Sequence, residues 1–324
     1  METVSSRPSR PFRFGVINER MTTRQAWLDG ARRAEALGFS TFLIRDHLVA
    51  DHFGDQFAPF PALTAAAMVT STLRVGSLVI DNDFRHPALL AKEAATLDLL
   101  SDDRFELGLG AGWLAAEYRQ AGIPFDAAGV RISRMEESVQ IIKGLWSGEP
   151  VSFAGSHYAL DGLRGYPMPA QRPHPPLLIG GGGRRILTLA GREADIVGIL
   201  TTSVTSGSPT VDPAERRSAS VARKIGWIRE GAGPRFADIE LSLVADLVVT
   251  DDRRGRTEAY IREHGWDGLA PEDVWDMPAV LIGSTGQIVD ALRDWRERLG
   301  ISYLIVADAD RDALAPIVAE LAGT

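Results

Sequence analysis

Eight times along the chain a short apolar, β-prone run gives way to a segment whose apolar residues recur at helical spacing, and this alternation constrains the fold more than any other feature. The predicted strands are Arg13–Asn18, Thr41–Arg45, Leu73–Ile80, Phe105–Gly110, Leu177–Gly180, Asp195–Leu200, Ile239–Val249 and Ser302–Val306. Among the helices, Trp27, Ala31, Ala34 and Leu37 share one face, as do Leu90, Ala94, Leu97 and Leu100. Ile132, Met135, Val139, Ile142 and Trp146 make a third such face, and Ile288, Leu292, Trp295 and Leu299 a fourth. Further helices are predicted over Arg184–Ala194, around Ala214–Glu230 and over Arg311–Ala322. Thr22-Thr23-Arg24-Gln25 and Ser284-Thr285-Gly286-Gln287 have the spacing of capping boxes, and Pro87 suits a first helical position. Strands that alternate with helices form a parallel sheet covered by helices, and eight is the number that closes a barrel. The expected fold class is α/β, a (β/α)8 barrel.

The 324 residues exceed a minimal barrel by roughly 70. The surplus falls at about 51–60, 147–175, 201–212 and 251–282, and is expected as insertions at the C-terminal face of the barrel, where barrel active sites form. Residues 1–11, with Pro8 and Pro11, are expected as a flexible arm, and 12–324 as a single barrel domain. The longest nearly apolar stretch, Ala62–Val69, is far short of the ~18 residues that span a bilayer, and METVSSRPSRPF has no apolar signal core. Cysteine is absent, which excludes disulfides, thiolate nucleophiles and Cys-based zinc sites and suits a cytoplasmic setting. A net charge of −8 leaves no general basic surface for nucleic acid. A small-molecule substrate, with no membrane and no nucleic-acid partner, is the expectation.

Four constellations could carry chemistry. Asp46-His47 ends the second strand, where a carboxylate beside an imidazole suits proton transfer or cofactor contact; the alternative is an Asp that closes a loop. Ser77-Leu78-Val79-Ile80-Asp81-Asn82-Asp83-Phe84-Arg85-His86-Pro87 leaves the third strand, and Asp81 and Asn82 could hydrogen-bond a planar ligand or form an Asx turn before Pro87. Gly108-Leu109-Gly110-Ala111-Gly112-Trp113 ends the fourth, where glycines admit a ligand close to the backbone or serve barrel packing, and Trp113 could stack on an aromatic ring. Gly180-Gly181-Gly182-Gly183-Arg184-Arg185 runs from the fifth strand into a helix and combines free N–H groups with two guanidiniums, an anion site. It is not the dinucleotide fingerprint, because Ile186 stands where the third glycine belongs. No helical His-x-x-x-His pair and no Gly-x-Ser-x-Gly elbow occurs, so neither a metal nor a serine nucleophile is expected.

Taken in order, these segments resemble the bacterial luciferase-like family, and within it the coenzyme F420-dependent oxidoreductases, over about residues 12–310. The resemblance is carried by Ala34-Glu35-Ala36-Leu37-Gly38-Phe39, Asp46-His47, and His86-Pro87 with Ala91-Lys92-Glu93-Ala94-Ala95-Thr96-Leu97-Asp98. Arg104 through Trp113, Glu117-Tyr118, Gly122 and Gly129-Val130-Arg131 complete it. It implies a TIM barrel holding F420, or alternatively FMN, at its C-terminal mouth. His47 would then be the proton donor beside the redox ring, with Asp46 near it and a non-prolyl cis peptide around Leu78–Val79 behind it. Gly110, Ala111 and Gly112 would approach the ring or its side chain, and Gly181, Gly182, Gly183 and Arg184 would hold the phosphate. The implied activity is hydride transfer to or from an organic substrate. The alternatives are FMN-dependent oxygenation, with a reductase supplying reduced cofactor, and non-catalytic flavin binding. A homodimer is implied as common among relatives. The chain departs from the family's sugar-phosphate dehydrogenases, which have a carboxylate at Trp113, an amide at Ala116 and a lysine within the stretch Ile199–Val204. Phe53, Phe57, Phe60 and Trp113 are expected instead to line an apolar cleft.

Overall fold

The computed structural model describes residues 10–19, 23–50, 53–205, 208–210 and 212–324, side chains of 203–210 excepted. Eight parallel strands close on themselves: β1 (Arg13–Asn18), β2 (Thr41–Ile44), β3 (Arg74–Ser77), β4 (Phe105–Gly110), β5 (Leu177–Gly181), β6 (Ile196–Ile199), β7 (Glu240–Val244) and β8 (Ile301–Ala307). The order runs β3-β2-β1-β8-β7-β6-β5-β4, and Val75 opposite Phe105 joins β4 back to β3. The helices that cover it are α1 (Arg24–Ala36), α2 (Pro59–Ala67), α3 (Pro87–Leu100), α4 (Ala128–Leu145), α5 (Arg184–Glu193), α6 (Ser218–Ala232), α7 (Thr285–Leu299) and α8 (Arg311–Leu321).

Strand side chains alternate as the pleat requires. On β1, Phe14 and Val16 join the core between sheet and helices, whereas Ile17 joins Leu43, Leu178, Ile196, Tyr303 and Ile305 inside the barrel. Leu78 and Val79 rest on that inner cluster. Below it, at the N-terminal ends of the strands, Arg13 and Arg74 converge on buried Glu106 at 2.8 and 2.6 Å, and Arg13 also lies 3.3 Å from Glu240. The barrel is therefore stoppered by ions at one end, and its opposite end is the candidate mouth.

Several boundaries differ from the sequence expectation. Thr22 lies outside the described residues, and α1 is capped by Thr23, whose hydroxyl accepts from Ala26 N at 3.1 Å. The Ser284 box forms as expected, with Gln287 Oε1 accepting from Ser284 N at 3.0 Å. Leu100, expected on the buried face of α3, ends the helix and is exposed. The single strand expected over Leu73–Ile80 is interrupted at the cis peptide Leu78–Val79, after which Ile80–Asp81 rejoins β4. The strand expected over Ile239–Val249 divides at Ala245. Its second half, Asp246–Val249, pairs in parallel with Val280–Gly283, and between them Tyr260, Ile261, Trp266, Val274 and Met277 form a small core of their own.

The surplus segments at 51–60, 201–212 and 251–282 follow β2, β6 and β7, on the side of the C-terminal ends. The segment 147–175 does not. It connects α4 to β5, so it starts from the N-terminal side, and its antiparallel hairpin of Pro150–Ala154 and Ala159–Arg164 runs along α4. Glu137 of α4 fastens the hairpin tip by accepting from the N–H groups of Ser156, His157 and Tyr158 at 2.7, 2.9 and 3.1 Å. No helix among the described residues is long and apolar enough to cross a membrane.

Candidate active site at the barrel mouth

The end of β2 delivers Asp46 and His47 to different surroundings. Asp46 is buried, and Arg85 grips both its oxygens at 2.5 and 3.3 Å. Asp81 N donates to the same carboxylate at 3.2 Å. These are the contacts of an Asp that closes a loop, and they tie β2 to the segment leaving β3.

Asp81 is also buried and heavily bonded. It accepts from Tyr118 Oη at 2.8 Å and from Asp83 N at 2.9 Å, the latter closing the Asx turn that precedes α3. Burial pushes its carboxyl up to about 7, against the hydrogen bonds that favour the charged form. Asp83 in turn pairs with Arg134 of α4 at 2.9 Å.

His47 instead turns toward aromatic rings. Its ring centroid lies 5.2 Å from that of Phe53 and 6.0 Å from that of Trp113, the latter edge-on, and Phe53 meets Trp113 edge-on at 6.5 Å. Arg45 covers the Phe53 ring at 3.9 Å while pairing with Glu19 at 2.7 Å. His47 Nδ1 lies 3.1 Å from Glu117 Oε2, and the same carboxylate accepts from Leu48 N–H. Glu117 and Tyr118 are the buried residues of the short helix Ala115–Ala121. Of the aromatic residues expected in one cleft, Phe53 and Trp113 gather at His47. Phe57 meets Trp27 edge-on at 6.2 Å and Phe60 packs near Phe105 at 6.1 Å, because the start of α2 must be covered by core.

The glycines after β4 are required by the protein itself. A Cβ on Gly110 would overlap Val79, and Gly112, at φ +70°, would place one 2.6 Å from Asp81 Oδ2 and within Tyr118 Oη. Arg131 holds the turn by donating to Ala111 O at 3.0 Å and Gly112 O at 3.2 Å. The packing alternative thus explains these positions.

The run after β5 is different. A Cβ on Gly181 would strike Ile186, and one on Gly182 would lie 3.1 Å from Leu200 O, but one on Gly183 would have nothing within 4 Å among the described residues. Gly183 is the N-cap of α5 and supplies no side-chain cap, so the first-turn N–H groups lack intrahelical partners beside open space. The guanidiniums contribute less than expected. Arg184 pairs with Glu230 of α6 at 2.9 Å, and Arg185 donates to Gly129 O and Ser133 Oγ at 2.8 and 2.7 Å. A lysine does reach the end of β6, although none occurs in that stretch of sequence: buried Lys224 of α6 donates to Leu200 O at 2.8 Å and pairs with Glu215 at 2.8 Å. Arg85 lies in the stretch read as leaving the third strand and Glu117 in the stretch that carries the resemblance, but the sequence assigns no role to either of them or to Lys224. Only Glu117 carried a signal, a Glu-Tyr pair just beyond a glycine-rich strand end.

Comparison with known proteins agrees with this architecture. The luciferase-like monooxygenase family matches residues 10–270. The F420-dependent glucose-6-phosphate dehydrogenase of Microbacterium testaceum is 33% identical over 198 residues, 60% of this chain and 57% of that protein. The FMNH2-dependent dimethylsulfone monooxygenase of Pseudomonas putida is 28% identical over 212 residues, 64% of this chain and 58% of that protein. The matched region thus spans less than two thirds of each of these relatives. The coenzyme F420 dependent tetrahydromethanopterin reductase of Methanopyrus kandleri shares the fold at a TM-score of 0.74 and 20% identity, over 96% of this chain and 98% of that one. With a match that runs from β1 to beyond β7, the chain belongs to the luciferase-like monooxygenase family.

Proposed function

We propose that the protein is an F420-dependent oxidoreductase that moves a hydride between the deazaflavin C5 and an apolar organic substrate. The observation that carries this reading is His47, held at the end of β2 by a buried carboxylate and walled by Phe53 and Trp113. In this reading His47 holds the proton that accompanies the hydride, and the two rings keep water from it. Leu78 and Val79 form the floor, and Asp46 and Asp81 fix that floor in place. Gly110, Ala111 and Gly112 line the adjoining wall.

The cofactor's phosphate would sit on the N–H groups of Gly181, Gly182 and Gly183 and the start of α5. The open space at Gly183 and the uncapped helix fit an anion there. Arg184 would reach it only by leaving Glu230, an exposed ion pair of small strength. Trp113 favours an apolar substrate over a sugar phosphate. The catalytic unit is read as one domain over residues 12–324, acting in the cytoplasm as a homodimer and receiving reduced cofactor from a separate reductase.

Likeness to the FMNH2-dependent monooxygenase of Pseudomonas putida favours a second reading, oxygenation with FMN in the same mouth. Titration of the purified chain with F420 and, separately, with FMN, followed by cofactor fluorescence, decides between them. Micromolar or tighter F420 binding with negligible FMN binding is expected. A preference for FMN selects the second reading, and binding of neither removes both.

A further inference from the structure

We infer that Glu117 is a positioning residue that fixes the tautomer of His47, an inference that rests on the role proposed above for that histidine. Glu117 is 1% exposed, and its Oε2 lies 3.1 Å from His47 Nδ1. A carboxylate so buried must spend its lone pairs on donors. Oε1 accepts from Leu48 N–H, and Oε2 faces His47 Nδ1 at 3.1 Å. An ionised carboxylate only accepts, so Nδ1 carries the hydrogen and a neutral imidazole is left with Nε2 bare. Nε2 is then the nitrogen that takes up and returns the proton.

The arrangement is built rather than incidental. The helix that bears Glu117 is locked by its next residue, Tyr118, which donates to Asp81 at 2.8 Å and Asp83 at 3.2 Å. Bonding to Leu48 N–H places the carboxylate against the backbone immediately after His47, so the imidazole has little freedom to turn away. Phe53 and Trp113 pack the ring on its other sides.

The test is long-range 1H–15N correlation of the 15N-labelled full chain without cofactor at neutral pH, with His47 assigned from a His47→Asn variant. The wild type is expected to show the Nδ1–H form. In Glu117→Gln a carboxamide has one acceptor oxygen in place of two. With that oxygen kept by Leu48 N–H, its NH2 donates to Nδ1 and the imidazole switches to Nε2–H. Turnover should then fall by roughly tenfold or more while F420 affinity stays within about twofold, the mark of a wrong tautomer in an intact site. An Nε2–H form in the wild type overturns the inference. So does an Nδ1–H form that persists in Glu117→Ala with unchanged turnover. Failure of the chain to bind F420 defeats the functional reading alone, since the tautomer is read without it.

Discussion

Arg85 Nη1 lies 2.5 Å from Asp46 Oδ2 and joins the end of β2 to the segment that follows the Leu78–Val79 peptide. Removing one partner of such a pair leaves the other charge buried and uncompensated. Asp46 is 5% exposed, and its remaining donor, Asp81 N at 3.2 Å, is a backbone amide. Arg85→Ala is therefore expected to lower unfolding free energy by about 3 kcal/mol in urea denaturation, the lower end for a buried pair because the Arg85 side chain keeps 18% exposure. A loss below about 0.5 kcal/mol would make the pair equivalent to a surface bridge and return Asp46 to the list of groups free to serve a ligand.

The ionic stopper at the other end of the barrel predicts a separation of stability from binding. Glu106 is buried between Arg13 and Arg74, and although burial disfavours its charge, the two guanidiniums hold its carboxyl below the usual range. A carboxyl lowered in the folded state contributes stability above its unfolded pKa, and that stability is lost as pH falls through the folded value. Glu106→Ala should cost about 3–5 kcal/mol at pH 7 and leave F420 affinity unchanged, because residues at the N-terminal face serve the barrel and not the mouth. Parallel urea and fluorescence titrations check both halves.

Asp81 has the opposite sign. Its folded pKa is raised to about 7 by burial, so between about pH 4 and 7 the folded chain holds a proton that the unfolded chain has released. Stability contributed through this group is full below about pH 4 and falls as pH rises toward 7. Across that window the wild type should lose on the order of 4 kcal/mol relative to Asp81→Asn, which cannot ionise. The comparison is a series of urea midpoints for both proteins, and parallel pH curves would show that Asp81 titrates as an ordinary carboxylate.

The barrel was legible because each strand–helix unit carries its own period, and parallel closure follows from counting units. What was not legible depends on pairs far apart in the chain. Arg85 and Asp46 are 39 residues apart, and Lys224 reaches Leu200 from 24 residues away, so no local pattern announces either. The break inside the seventh predicted strand was hidden for another reason. Ile239–Val249 is apolar through enough of its length to satisfy a strand, and only tertiary pairing tells that Asp246 crosses to Val280, whereas the break in Leu73–Ile80 falls at the cis peptide Leu78–Val79 that the family resemblance implied. Glycine was ambiguous by nature. Gly110 and Gly112 are glycine because Val79 and Tyr118 need the room, whereas Gly183 faces space, and the sequence is the same letter in each case.

That difference makes Gly183 the position where binding and architecture can be set against each other. Its backbone is extended, at φ −91° and ψ 158°, so any L-residue can occupy it, and a Cβ there meets nothing within 4 Å among the described residues. An aspartate at this N-cap can accept from the first-turn N–H groups of α5 and offset the helix dipole, adding a few tenths of a kcal/mol of stability relative to glycine. The same carboxylate would occupy and repel the position of a phosphate. Gly183→Asp is therefore expected to raise the urea midpoint slightly while weakening F420 binding by roughly tenfold or more, since the lost contact and the new repulsion each act on the anion. If the variant is more stable and binds F420 as the wild type does, the four glycines Gly180–Gly183 serve only to end a strand and start a helix, and the phosphate must be held elsewhere in the mouth.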